Sequence, residues 1–326
     1  MKDSISTRQA GIILFLSVLS IKILLLPSLF YQDTKSFGIL TVGLALLFDV
    51  IIAFFVCKFI SKNKNVSFYQ IICKKTNKFL AKVVVFLLFL FFLIKLILLI
   101  NESYLYFKQS VFESADIKLF LIIFLGVCCP FVFGRFRAFG RTCEFFYNII
   151  FLGVIVCLFI GFSTQQINLP YFTEDISAMS IFGGLFKRTM WFGDSIVLLA
   201  FMGKIDIEPH FVKKTMKKCL LGSFIVLLLF LCYFGLYQIT ALLHRSAFGD
   251  LVIFAPKVSA IGRLDLIPVI TAMIMITIQG GIFFSAMECC FSDTFNSRSK
   301  FKNLIVLNTI LILLIYIVFD NNEKSV

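Results

Sequence analysis

The chain has 326 residues, 60% of them hydrophobic, with 43 Phe and a formal net charge of +13 at pH 7. Ordinary soluble domains are about 45–50% apolar, so this composition excludes a soluble globular protein. Apolar runs of about 18 residues or more recur along the chain and predict an all-α, polytopic membrane protein, whereas an outer-membrane barrel would show short segments of alternating polarity.

Nine membrane spans are predicted, and we treat them as one transmembrane domain. In chain order they cover residues 9–30, 37–60, 83–107, 117–133, 140–162, 184–203, 217–242, 264–290 and 303–320. Of the 31 Lys and Arg residues, 20 lie in segments on the side of the N-terminus, 9 on the opposite side and 2 inside spans. This alternation follows the positive-inside rule, so we predict a cytoplasmic N-terminus and attribute the basic charge to topology rather than to nucleic-acid binding.

Four ionisable residues lie near the middle of predicted spans: Lys22 in the first, Asp49 in the second, Lys95 in the third and Asp194 in the sixth. A charge at the bilayer centre costs at least about 2.5–3.5 kcal/mol unless it is paired or hydrated. We therefore expect these residues to compensate one another inside the bundle, in pairings that the sequence does not specify. For Asp49 and Lys95 two interpretations stand: a structural pair between helices, or side chains that face a small water pocket.

The first and sixth spans carry helix-breaking residues beside their charges. In the first span Ser20 precedes Lys22, and a proline, which has no backbone N–H to donate, follows. In the sixth span Gly193 directly precedes Asp194. Helices interrupted at the midplane expose backbone groups, and transporters use such interruptions to hold substrates and ions. For Lys22 and Asp194 we therefore favour a functional role over a structural one.

Two further charge pairs lie near the ends of spans. Arg141 and Glu144 are three residues apart near the cytoplasmic start of the fifth span, so they share a helix face. Arg263 and Asp265 stand at the outer entrance of the eighth span. We interpret both pairs as structural salt bridges.

Catalytic chemistry is poorly supported by the sequence. The two His residues fall in loops on opposite sides of the predicted bundle, and the ten Cys residues show no metal-type spacing with His. No zinc-protease, nucleophile-elbow or phosphate-loop motif occurs. We therefore predict no enzymatic activity, no cofactor and no metal.

Four motifs, in order along the chain, resemble the permease (B) subunits of nutrient germinant receptors from spores. The start ISTRQAGIILFLSVLSIKILLLPSLF at 5–30 matches at Ile5, Ser6, Gln9, Leu26 and Pro27. Similar segments are RTCEFFYNI at 141–149, WFGDSIVLL at 191–199 and FGDLVIFAPKVSAIGRLDLI at 248–267. The resemblance runs from about residue 5 to residue 320 and is carried by the ordered set rather than by any single motif.

The resemblance implies an amino acid–polyamine–organocation type of fold, with two inverted five-helix repeats and discontinuous helices 1 and 6 around a central site. The first repeat would cover residues 9–162, and an incomplete second repeat residues 178–320. Related proteins usually have ten spans, so the resemblance implies that this chain lacks the tenth helix. Lys22 also departs from the pattern, because a small residue is common there.

The resemblance further implies a receptor subunit in the inner spore membrane that works with an A-type subunit and a lipoprotein C-type subunit. A small germinant such as an amino acid would bind at the midplane and trigger germination. Carried over by position, the candidate ligand-binding residues are Ser20, Lys22, Trp191, Gly193, Asp194 and Ser195. The alternative is an amino-acid or cation transporter that uses the same site for alternating access.

Overall fold

The structure, a computed structural model of the whole chain, describes residues 3–110, 116–163, 178–242, 244, 247–251, 266–297 and 299–323. Almost all of these residues are helical, and the described part of the chain contains no β-strand beyond an isolated bridge between Ile5 and Ile205. The predicted all-α class is therefore confirmed.

The first predicted span is broken in two. Helix α1 covers Thr7–Leu19, a 3-10 turn covers Ile21–Ile23, and α2 covers Leu26–Thr34. The axes of the two parts differ by 56°. Helix α1 begins at a capping box, in which Ser6 accepts a hydrogen bond from the Gln9 backbone and the Gln9 side chain accepts one from the Ser6 backbone.

The next four predicted spans each contain one long helix. These are α3 (Gly38–Lys62), α5 (Lys78–Ser110), α6 (Ile117–Phe133) and α7 (Phe136–Ser163), with the short helix α4 (Phe68–Lys75) between α3 and α5.

The sixth predicted span has no long helix. It consists of α8 (Ala178–Lys187), 3-10 turns at Thr189–Trp191 and Asp194–Ile196, the four-residue helix α9 (Val197–Ala200) and a further turn at Met202–Lys204.

The rest of the chain returns to regular helices. They are α10 (Phe211–Tyr237), the short α11 (Ala247–Asp250), α12 (Leu266–Phe295) and α13 (Lys300–Glu323), with a 3-10 turn at Gln238–Leu242 after α10.

Five described helices are long and apolar enough to cross a membrane: α3, α5, α7, α10 and α12. The bent pair of α1 and α2 makes a sixth if it is counted as one span, and α6 is a shorter apolar helix. The chain is therefore an all-α polytopic membrane protein. The exact number of nine spans stays a prediction.

Helix α1 lies at the centre of the bundle, against α7, α10 and α12. Of its side chains only Arg8 is exposed, and a helix that is buried all round must lie inside the packed protein. Helix α7, by contrast, exposes Phe145, Leu152 and Phe159 at seven-residue spacing along one face. This face is apolar enough to contact lipid. Because α1 is instead buried on all sides, its polar residues lie inside the bundle, where a central site would be.

Candidate functional site

The break in the first segment places Lys22 in the protein interior. The Ser20 hydroxyl donates to the Leu16 carbonyl oxygen at 2.8 Å, at the end of α1, and Pro27 starts α2. Lys22 lies in the turn between the two helices and is fully buried. Its ammonium group therefore needs partners from the surrounding elements.

The break in the sixth segment places Asp194 opposite Lys22. Gly193 has φ +81°, a left-handed conformation that glycine adopts without steric cost, and it separates the turn at Trp191 from the turn that begins at Asp194. The Asp194 side chain is buried. The predicted interruption beside the acidic residue is therefore present in the structure.

Four charged side chains from four elements meet between these two breaks, and we call them the charge cluster: Lys22, Asp49, Lys95 and Asp194. Lys22 Nζ lies 3.0 Å from Asp49 Oδ2 and also contacts Asp194 Oδ2. Lys95 Nζ lies 2.7 Å from Asp194 Oδ1. Asp194 thus bridges both lysines, while Asp49 on α3 faces only Lys22.

Backbone groups at the break in the sixth segment complete the charge cluster. The Gly193 N–H donates to Asp49 Oδ1 at 3.0 Å, and Lys95 Nζ donates to the Phe192 carbonyl oxygen at 2.7 Å. Both groups are accessible because residues 192 and 193 lie between 3-10 turns and not within a regular helix.

The electrostatics of the charge cluster balance internally. Two lysines face two aspartates, and each of the four side chains is at most 1% exposed. The Phe192 ring lies 5.2 Å from Lys22 Nζ, and the Phe91 ring lies 5.6 Å from Lys95 Nζ, so aromatic faces also stabilise the cations. The ion pairs of the cluster therefore link both broken segments to α3 and α5.

Several buried polar atoms near these elements form no hydrogen bond among the described residues. They include the Ser195 hydroxyl, the Ser285 hydroxyl and Gln279 Oε1, although Gln279 Nε2 donates to the Ser17 carbonyl oxygen at 3.2 Å. These atoms provide unused hydrogen-bonding capacity around α12 and the sixth segment.

A second polar chain lies at the ends of these segments that are remote from the N-terminus, a side that we call outer, and we name it the outer chain: Asp33, Arg188, Trp191 and Glu102. Arg188 Nε donates to Asp33 Oδ2 at 2.7 Å, and the guanidinium lies 5.5 Å from the centre of the Trp191 ring. Trp191 Nε1 donates to Glu102 Oε1 on α5. The outer chain thus links α2, α8 and α5 immediately before the break at Gly193.

A cavity of about 400 Å³ opens next to Gln32, which precedes Asp33 on α2, and Leu105, which lies one turn beyond Glu102 on α5. It is lined by the start of α2, the last turns of α5 and the turn after α10, through Leu25, Ser28, Leu29, Gln32, Leu105, Gln109 and Leu242. A volume in this range suits a small molecule, and the lining combines apolar walls with hydroxyl and amide groups.

The structure pairs two of the predicted residues differently from our expectation. Asp49 contacts Lys22 and Gly193, and Lys95 contacts Asp194, so Asp49 and Lys95 belong to one cluster without contacting each other directly. Lys22 and the Gly193 N–H each bind one of the two Asp49 oxygens.

The predicted salt bridge between Arg141 and Glu144 on one face of α7 is also absent, because Glu144 binds residues of α1 instead. Glu144 accepts from Arg8 at 3.0 Å and from Gln9 at 3.2 Å, while Arg141 is exposed. Helix α1 packs against α7 and brings its own donors to the carboxylate. The predicted pair of Arg263 and Asp265 lies outside the described residues.

Among the six predicted ligand-binding residues, Lys22, Gly193 and Asp194 meet in the charge cluster, and Ser20 and Ser195 lie next to it in the two breaks. Trp191 belongs to the outer chain instead. Sequence reasoning missed Glu102, because it lies near the outer end of the predicted third span. Its position seven residues after Lys95, on the same helix face, was the available signal.

Comparison with known protein families identifies a match over almost the whole chain. The sequence model of a family described as spore germination protein matches residues 4–324. No curated protein matches the chain.

Proposed function

The chain belongs to the spore germination protein family, a family of permease and receptor type rather than of enzymes, and we propose that it is the membrane subunit of a nutrient germinant receptor. In this proposal it lies in the inner spore membrane with its N-terminus in the cytoplasm. It works with an A-type and a lipoprotein C-type subunit, and it forms one transmembrane domain with two inverted repeats.

The observation that carries the proposal is that one buried cluster joins both interrupted segments. Each broken segment supplies one charge, Lys22 or Asp194, and α3 and α5 supply the balancing charges. A small germinant bound in the outer cavity would act on the same breaks through Trp191, two residues before Gly193. Binding would thereby shift the equilibrium between two arrangements of the breaks, which is the event that a receptor subunit must transmit.

The test uses spores in which Asp194→Asn or Lys22→Ala replaces the wild-type chain. We expect both variants to reach the membrane fraction and to lose the response to a mixture of amino acids, measured as loss of spore refractility. Glu208→Gln is the matched control, because Glu208 is exposed and its ion pair with Lys214 lies outside the bundle interior. Normal germination of both cluster variants would contradict the proposed role of the charge cluster in the response.

A transporter is the second candidate, because the same interrupted segments and cavity would also serve alternating access. Proteoliposomes that contain only this chain separate the two functions. Uptake of radiolabelled amino acids above that of empty liposomes would favour the transporter. Binding without uptake would favour the receptor.

A further inference from the structure

Glu102 is a buried carboxylate on α5 that forms no ion pair with the charge cluster or with the basic residue of the outer chain. Its side chain is 2% exposed. Oε1 accepts from Trp191 Nε1, whereas Oε2 is buried and has no hydrogen-bond partner among the described residues. An unpaired buried carboxylate oxygen is costly, so this position calls for an additional donor.

The cations nearest to Glu102 already serve other carboxylates. Arg188 and Lys95 act on Glu102 electrostatically. Arg188 donates to Asp33, however, and Lys95 donates to Asp194 and to the Phe192 carbonyl oxygen. Within these two networks Glu102 is therefore the carboxylate that has no cation as a direct partner.

The position of Glu102 on α5 connects it with the outer cavity. Lys95, Glu102 and Gln109 follow at seven-residue spacing and therefore share one face of α5, with about 10 Å between neighbours. Gln109 lines the cavity, as does Leu105, one turn beyond Glu102. On this face of α5, Glu102 therefore lies between the residues that line the cavity and the charge cluster.

We propose that Glu102 is the binding group for the ammonium end of a small amine that enters from the outer cavity. This inference rests on the proposed function and names the chemistry of its ligand. An ammonium group supplies the positive charge and the donors that Oε2 lacks, and a charged hydrogen bond of this kind is stronger than a neutral one. The ligand would then lie against Trp191, and its binding would affect the break at Gly193 through that side chain.

Trp191 is the only Trp of the chain, so its fluorescence reports on this position alone. The experiment titrates the purified full chain in detergent micelles with L-alaninamide, which has an ammonium group and no carboxylate, and with propionate, which has the reverse. We expect L-alaninamide to change the Trp191 emission in a saturable way, and propionate and ionic-strength-matched NaCl to leave it unchanged.

Glu102→Gln is the decisive variant, because its amide oxygen still accepts from Trp191 while the negative charge is removed. We expect it to bind L-alaninamide about tenfold or more weakly. Glu144→Gln, at a carboxylate that Arg8 and Gln9 already occupy, should bind like the wild type. Equal binding by Glu102→Gln and the wild type would overturn the proposal.

A proton is the competing occupant, and a pH titration without amine tests for it. An emission change with pH that disappears in Glu102→Gln, together with no effect of L-alaninamide at any pH, would overturn the proposal in favour of a proton. These outcomes are separate from the proposed function. If spores need this chain for germination but the amine does not bind, the receptor function stands and only the role of Glu102 fails.

Discussion

The charge cluster and the outer chain are built from similar residues, yet they are completed to different degrees. In the charge cluster every charged atom has a partner, and two positive charges meet two negative ones in the buried interior. In the outer chain Asp33 and Arg188 pair, but Glu102 keeps a buried oxygen that has no hydrogen-bond partner among the described residues, one turn from a residue that lines the cavity. A completed network holds a structure in place, whereas an incomplete one next to a cavity is available for a ligand.

The largest effect is expected where the balance of the charge cluster is destroyed. Asp194→Asn leaves Lys22 with one carboxylate and Lys95 with none, and removing one partner of a buried ion pair costs about 3–5 kcal/mol. We expect a marked fall in the thermal unfolding midpoint of the purified protein in detergent.

The double variant Asp194→Asn/Lys95→Met is the control for charge balance. It keeps Lys22 with Asp49 and restores neutrality, so we expect it to recover much of the lost stability. If the double variant unfolds below the single one, the charge cluster is not held by electrostatic balance, and the contrast between the two networks fails.

An intermediate effect is expected at the break between the two networks. Gly193→Ala places a side chain in the left-handed region at φ +81°, at a cost of about 1–2 kcal/mol. The added Cβ would lie 3.6 Å from both Ile196 and Phe91, which is ordinary contact, so the cost comes from the backbone. We expect a lower unfolding midpoint.

Gly183→Ala is the matched control for Gly193→Ala. Gly183 lies within α8, and an added Cβ would meet no atom within 4 Å. Because alanine is the better helix former, the unfolding midpoint should stay unchanged or rise slightly. Equal destabilisation by the two substitutions would show that the left-handed break is not required.

The smallest effects are expected within the outer chain, where two basic residues share Asp33. Arg188→Gln removes a side chain that is 17% exposed and donates at 2.7 Å, whereas Lys187→Gln removes one that is 69% exposed and lies at 3.3 Å. Exposed ion pairs contribute about 0–1 kcal/mol. We expect Lys187→Gln to leave the unfolding midpoint unchanged and Arg188→Gln to lower it modestly, and the reverse order would contradict the assigned outer chain.

The sequence by itself determined the all-α membrane class, the positions of the apolar segments and the two interruptions beside Lys22 and Asp194. These features depend on local hydropathy and on the backbone preferences of glycine and proline, which act over a few residues. The ordered motifs also indicated the family, which the match over residues 4–324 then showed.

Only the tertiary structure decided which charges meet. Lys22 reaches Asp49 and Asp194, Lys95 reaches Asp194, and Glu144 binds Arg8 rather than the neighbour on its own helix. Such pairings depend on the rotation and depth of helices that are far apart in sequence, and no periodicity within one segment encodes them. For the same reason the sequence could not show that one buried oxygen of Glu102 has no hydrogen-bond partner among the described residues.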